Sequence, residues 1–392
     1  MVTGAGIVSP MGMDFRENTA GFREGRTAFS PVTLFDVSRQ RVGTAGQVDL
    51  PENGFPQRMD RGSRLAFLAA KEALAQAGLS GSGMPMIVGT SAAAMPIGED
   101  YYRAAVSGTE KRRTQLVRVE TYQAHRQITD MARLLGVDGH IRIVSNACAS
   151  GANAIGQAFH LVRSGRADRV IAGGYDALCQ LVFAGFDTLQ ALSPSGIPRP
   201  FDAARDGLAL GEGAGFVVVE NAASAKSRGA RVIAEITGYG AATDVHHLTQ
   251  PHPDGDAALV TMHAACDMAG ISPAQIDYIN SHGTGTPLND VAEGNAIRRW
   301  AGDAVSSIQV SSTKSAIGHL LGGAGAVESV ICLIALENQF LPASLNVREV
   351  DPVCAFDLVR EPRSAKVERV LTNSFGFGGA NATLIFEKEG LA

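Results

Sequence analysis

The side chains in this sequence that could do chemistry gather around one thiol. Cys148 lies in Val144-Ser145-Asn146-Ala147-Cys148-Ala149-Ser150-Gly151-Ala152-Asn153, where a β-rich run gives way to a tract of tiny residues. The pattern predicts a strand feeding a buried helix, with Cys148 in the first helical turn. A thiol there meets the positive end of the helix dipole and unpaired backbone N–H groups, which favour the thiolate, so Cys148 is the candidate nucleophile. Further groups stand out downstream: His282 in Ser281-His282-Gly283-Thr284-Gly285-Thr286, Lys314 and His319 in Lys314-Ser315-Ala316-Ile317-Gly318-His319, then Glu328, then the loop Phe375-Gly376-Phe377-Gly378-Gly379.

The elements that must position these groups come in similar pairs. Ala, Ser and Gly after Cys148 offer neither charge to water nor large apolar surface, and they suit a helix that other backbone approaches closely. A second tract of this kind, Gly318-His319-Leu320-Leu321-Gly322-Gly323-Ala324-Gly325-Ala326, predicts a helix over about 320–336. Two such helices can cross at short distance in the middle of a molecule, which would bring Cys148 to His319. Elsewhere the periodicity predicts strands over 2–8, 86–90, 141–145, 169–172, 232–237, 278–281 and 308–312, and a terminal pair around Phe377. Helices are predicted over 60–78, 121–135 and 256–269, each stopped by a glycine, and a bent hairpin over 206–220. A boundary near residue 225 divides the chain into a half carrying the cysteine, 1–225, and a half carrying the histidines, 226–392.

Composition narrows the class. With 392 residues, 45 of them Gly, a hydrophobic fraction of 45% and a charged fraction of 19%, the chain reads as a compact α/β enzyme. A net charge of -5 with intermixed signs argues against nucleic-acid binding. Five scattered cysteines without a Cys-x-x-Cys pair point to a reducing cytoplasm and away from structural zinc. No basic leader with an apolar core and no membrane-spanning stretch is expected.

In its motifs the sequence resembles the elongating β-ketoacyl-(acyl-carrier-protein) synthases, condensing enzymes of the thiolase superfamily. The resemblance rests on the Cys148 tract, on His282-Gly283-Thr284-Gly285-Thr286-Pro287, on Lys314 through His319 and on Phe375 through Gly379. It runs from Val2-Thr3-Gly4 to Asn381-Ala382-Thr383-Leu384-Ile385-Phe386. It implies a thiolase-like α/β fold of duplicated βαβαβαββ halves in α-β-α-β-α layers, with the two small-residue helices in the middle. It also implies a homodimer, or a heterodimer with a chain-length subunit.

The resemblance further implies that Cys148 takes the acyl group from an acyl-carrier thioester. His282 and His319 would then steady the enolate formed as malonyl-carrier protein loses carbon dioxide. Lys314 would keep both rings neutral, with Glu328 as its partner. The backbone N–H groups of Cys148 and Phe377 would form an oxyanion hole, and Phe377 would gate the acyl pocket. Thr284 and Thr286 would hydrogen-bond the phosphopantetheine arm, which the acyl carrier protein brings with it. No metal or cofactor of the enzyme's own is implied. Arg58, Arg61, Arg64, Arg199 and Arg205 are candidates for a patch that meets the acidic carrier protein.

Plainer readings stand beside these. His246, His247 and His252 share no helix face, and no carboxylate or Cys completes a metal site. Asp290 and Glu293 have the shape of a helix N-cap with an acidic N3 residue. The arginines at 58, 61 and 64 also read as a solvated helix face, and Cys179, Cys266, Cys332 and Cys354 as small apolar core residues. A chain-length subunit would replace the nucleophile, a thiolase would use a second cysteine near the C-terminus, and a starter-type enzyme would pair its Cys with His and Asn. The choice between fatty-acid and type II polyketide or aryl-polyene synthesis stays open, because Asn146 to Gly151 and Ala92-Ala93-Ala94-Met95-Pro96 depart from the housekeeping pattern.

Overall fold

Two mixed sheets divide the chain and follow one plan. The computed structural model describes residues 1–55, 59–108 and 112–391. The first sheet holds β1 (Val2–Val8), β2 (Met86–Gly89), β3 (Ile141–Val144), β4 (Arg169–Asp176) and β5 (Gly213–Glu220), in the order β1-β5-β4-β2-β3. The second holds β6 (Glu235–Thr243), β7 (Tyr278–Asn280), β8 (Gln309–Ser311), β9 (Asp357–Leu358), β10 (Arg369–Gly376) and β11 (Ala380–Glu387), in the order β6-β11-β10-β7-β8-β9. Leaving out the short β9, the two orders superpose strand for strand. Their pairings agree as well: β2 is parallel to β3 and β4 as β7 is to β8 and β10. Likewise β5 is antiparallel to β1 and β4, as β11 is to β6 and β10.

Helices supply the other layers. The helix Arg61–Ala77 packs its Ala- and Leu-rich face on β1 and β5, capped by the Asp60 side chain at one end and by left-handed Gly78 at the other. Asp256–Ala269 covers β6 and β11 on the far side and ends at left-handed Gly270. Between the sheets lie Ser150–Arg163 and Ala324–Asn338, the second touching both β5 and β10. The layers therefore run α-β-α-β-α.

The middle layer explains the small residues. A Cβ on Gly151 would lie 2.7 Å from the Ala326 nitrogen, and one on Gly325 would lie 2.9 Å from the Ala152 Cβ. The two helices thus cross backbone against backbone, as their composition predicts. Residues 324 to 336 are all buried, as suits a helix that is apolar on every side. By length and composition the 18 residues Leu321–Asn338 would suffice to cross a membrane, which the sequence reading did not anticipate; here that stretch is 89% buried inside the protein.

Two other expectations change. Of the hairpin expected over 206–220, only Gly213–Glu220 is strand, because Leu208, Leu210 and Gly211 bridge to Leu192, His319 and Gly46 instead of folding back on it, while Glu212 accepts the Val48 and Leu178 N–H groups at 2.9 and 3.2 Å. The helix expected over 121–135 starts three residues later, as Ala124–Leu134, because Gln123 takes an extended conformation, and a separate helix, Arg112–Tyr122, precedes it.

Candidate active site

Cys148 sits on the turn between β3 and the helix Ser150–Arg163, two residues ahead of the first helical residue rather than in the first turn. The turn is forced: Ala147 is left-handed at φ 46°, a conformation that costs on the order of 1 kcal/mol for a residue with a Cβ. Hydroxyls hold it there. Ser150 Oγ accepts the Asn146 N–H at 2.8 Å and donates to the Ala147 carbonyl at 2.6 Å, and Ser91 Oγ donates to that carbonyl at 2.8 Å.

The second half brings the histidines. His282 follows β7, and its backbone is shaped by Glu293, which accepts the His282 and Gly283 N–H groups at 2.8 and 2.7 Å. Asp290 accepts the Phe201 and Gly285 N–H groups at 2.9 and 3.2 Å. These carboxylates are structural, as expected, but not as a cap: Thr286 is the N-cap of Pro287–Ala301, with no side-chain cap bond. His319 donates its backbone N–H to the Ala209 carbonyl at 2.7 Å, and its Nδ1 accepts the Leu321 N–H at 3.2 Å. A neutral His319 therefore carries its proton on Nε2. The rings of His282 and His319 meet edge to face, 5.3 Å between centroids and 84° between planes.

Lys314 is buried and bonded to the buried carboxylate of Glu328. Burial first, then the Lys314 charge, hold His282 and His319 well below the usual imidazole range. Burial pushes the Cys148 thiol up to about 12, against the pull of Lys314 and of the Phe377 N–H. Burial thus opposes the thiolate that the helix terminus is expected to favour.

Cys148, His282, His319, Thr284, Thr286 and Phe377 open on one cavity of about 370 Å³. The Phe377 N–H points to the Cys148 sulfur, and a Cβ on Gly376 would lie 3.0 Å from the Cys148 nitrogen. That close passage brings the Phe377 N–H and the Cys148 backbone nitrogen together beside the thiol. The Phe377 ring stacks on Phe186, 5.7 Å between centroids and 18° between planes. The hydroxyls of Thr284 and Thr286 lie 2.8 Å apart on the cavity wall.

Residues 1–225 match the description Beta-ketoacyl synthase, N-terminal domain, and residues 233–348 match Beta-ketoacyl synthase, C-terminal domain. The chain belongs to the β-ketoacyl synthase family. The synthase is 37% identical to 3-oxoacyl-[acyl-carrier-protein] synthase 2 of Synechocystis sp., across 99% of this chain and 97% of that protein. It is 34% identical to the Staphylococcus aureus (strain COL) protein of the same name, across 99% and 98%. Among solved structures it resembles the ishigamide ketosynthase/chain length factor at TM-score 0.91 and 35% identity, covering 99% of this chain and 98% of that one. It also resembles the AntDE:AntF structure, a type II PKS acyl-carrier protein in complex with its ketosynthase bound to the hexaketide, at TM-score 0.88 and 28% identity, with the same coverage. The fold is the thiolase-like ketosynthase fold.

One residue that sequence reasoning missed sits under the synthase's thiol. Asp176, at the end of β4, accepts Thr90 Oγ1 at 2.6 Å, the N–H groups of Ser91, Ala92 and Ala93 at 2.9 to 3.0 Å, and the Gly322 N–H at 2.7 Å. It ties the first half to the segment that follows His319. The only sequence signal was a lone acid closing an apolar strand.

The docking arginines need correction. Arg61 is drawn onto the buried Glu212, its Nε 2.9 Å from a carboxylate oxygen. Arg205 is buried, 2.5 Å from Asp351 and donating to the Asp202, Thr286 and Pro287 carbonyls. Both hold loops together and present no free charge to a partner. Arg199 pairs with Asp206 at 3.1 Å, Arg64 lies over the Phe55 ring at 5.2 Å, and Arg58 falls outside the described residues. Among the described residues no group of three or more His, Cys, Asp or Glu side chains could hold a metal; the His246 and His252 rings meet each other at 5.1 Å.

Proposed function

We propose that this synthase joins an acyl group carried on Cys148 to the two-carbon unit left when a malonyl thioester loses carbon dioxide, both reactants arriving on an acyl carrier protein. The observation that carries the reading is the opening of one thiol and two neutral imidazoles on a single cavity. In the first step the Cys148 sulfur displaces the carrier thiol from the acyl thioester. The carbonyl oxygen develops charge against the Cys148 and Phe377 N–H groups, and the thiol proton leaves with the departing carrier sulfur.

In the second step the malonyl carboxylate departs as carbon dioxide and its electron pair becomes an enolate. The His319 Nε2–H and the His282 ring steady the enolate oxygen, and Lys314 favours their neutral, donating form. The enolate carbon attacks the acyl-Cys148 carbonyl, giving β-ketoacyl-carrier and expelling the Cys148 sulfur as a thiolate, which takes a proton from solvent to return to the thiol. The oxygens that gain charge are met by groups of this chain, so the reading asks for no metal or cofactor beyond the carrier's phosphopantetheine, which Thr284 and Thr286 would hydrogen-bond from the cavity wall. Incubation with acyl-carrier protein tests the first step: the peptide containing Cys148 should gain one acyl mass, and a label elsewhere would move the nucleophile.

The same reading places the enzyme in the cytoplasm, supported by five unpaired cysteines. It also makes the enzyme a homodimer, or the partner of a related chain-length subunit. β3 lies at the edge of its sheet, and Tyr102, Val106 and Leu116 are exposed on the segment before it, which supports pairing with a second chain.

A further inference from the structure

Asp176 is wholly buried, and every group that meets its carboxylate is a donor. Burial raises its carboxyl above the usual range, but a site built of donors fits the ionised form. Two arms leave it. In the first half, the Ser91, Ala92 and Ala93 N–H groups wrap the carboxylate and hold Ala93 in the left-handed region at φ 42°. Ser91 Oγ, on that loop, donates to the carbonyl of Ala147, the left-handed residue just before Cys148. In the second half, the Gly322 N–H reaches Oδ2 at 2.7 Å, while Ala92 and Ala93 hold Oδ1. The N–H of the residue before Gly322, left-handed Leu321, is the one that meets His319 Nδ1.

The two arms touch. A Cβ on Gly322 would lie 2.5 Å from the Ser91 nitrogen, so the turns from the two halves pack backbone on backbone around one negative charge. A residue with a Cβ persists in the left-handed region only where its surroundings over-determine it, and Ala93, Ala147 and Leu321 all belong to these arms. We propose that Asp176 is a positioning residue for both chemical steps, setting the Cys148 turn through Ser91 and the His319 donor through Gly322 and Leu321. Its own contacts are to backbone N–H groups and the Thr90 hydroxyl, so it acts through others, keeping the thiol of one half in register with the imidazole of the other. The inference rests on the condensing function above and adds to it the residue that couples its two steps.

Asp176→Asn keeps the shape and replaces one acceptor oxygen by an amide nitrogen that faces donors. Turnover should fall by about 10- to 100-fold, the cost of misplacing reacting groups by on the order of 1 Å, with KM for the carrier thioesters within about twofold. By NMR of nitrogen-labelled histidine rings, the unsubstituted protein should show His319 as the Nε2–H tautomer. The folded Asp176→Asn protein should show a mixture with Nδ1–H, because the Leu321 N–H no longer keeps its place. Ser91→Ala cuts the first arm alone, and should slow acylation of Cys148 about tenfold more than carbon dioxide release from malonyl-carrier protein. That variant decides the matter if Asp176→Asn does not fold. A folded Asp176→Asn protein with normal turnover, or with low turnover and an unchanged His319 tautomer, overturns the proposal. So does a Ser91→Ala protein in which both steps keep their rates or fall alike. An unsubstituted enzyme that neither acylates Cys148 nor releases carbon dioxide overturns the condensing function instead, and the His319 tautomer still reports on Asp176.

Discussion

The Leu321 backbone N–H donates to Nδ1 of His319 at 3.2 Å, and that bond decides which ring nitrogen faces the cavity with a proton. With Nδ1 occupied as acceptor, a neutral His319 offers Nε2–H, the donor an enolate oxygen needs. His282 has no such tether: its Nδ1 is buried and without a hydrogen-bond partner among the described residues. The two rings are therefore unequal, and His319 is the pre-set donor. Replacing His319 by Ala should slow carbon dioxide release from malonyl-carrier protein by about 10²- to 10³-fold, the usual cost of losing one such donor. His319→Gln, which keeps an N–H near the position of Nε2, should retain part of the rate. Equal loss in both variants, read as carbon dioxide evolved, would deny His319 this role.

The state of the thiol can be titrated directly. With burial pushing Cys148 up to about 12, the thiolate is the minor species at neutral pH and grows about tenfold with each pH unit. Alkylation of Cys148 by iodoacetamide, followed by peptide mass spectrometry, should climb steadily from pH 6 to 9. A plateau already present at pH 7 would mean that the helix terminus and Lys314 outweigh burial.

Lys314 and Glu328 depend on each other. Both are buried, so Glu328→Leu leaves an ammonium group without its counter-charge and should cost about 3–5 kcal/mol in denaturant unfolding. Lys314→Met together with Glu328→Leu should recover much of that stability while raising both histidines toward their ordinary range, since the charge that helps hold them down is gone. A double variant as unstable as the single would show that packing, not charge, holds this pair.

The crossing of the middle helices leaves no room. Gly151→Val should destabilise the protein by about 1–3 kcal/mol, because its side chain would meet the Ala326 backbone. The same shift should displace the Cys148 turn, three residues away. Unfolding curves and acylation rate should fall together; a stable, active variant would refute the close crossing.

Much of this arrangement is written in local signals. Asp60 with Gly78, and the stop at Gly270, mark helix ends through capping and left-handed glycine, effects confined to a few neighbouring residues. The small-residue tracts announced the central crossing because only a close neighbour explains so little side chain. Cys148, His282, His319, Lys314 and Phe377 were legible as motifs, and the structure collects them in one place. Asp176 and Glu212 were not, and Glu293 was read only as a helix-capping acid, since each acts on backbone N–H groups contributed from elsewhere in the fold, and an acid gives no sign of which amides it will meet. Arg61 and Arg205 misled for the same reason: their carboxylate partners, Glu212 and Asp351, are distant in sequence.

The central claim is a division of labour, with Cys148 holding the acyl group and the two histidines generating the carbon nucleophile. Cys148→Gln separates them. Given malonyl-carrier protein, this variant should release carbon dioxide and leave acetyl-carrier, while forming no β-ketoacyl product when acyl-carrier protein is added. A well-folded Cys148→Gln protein that neither decarboxylates nor condenses, or one that still condenses, would contradict the account.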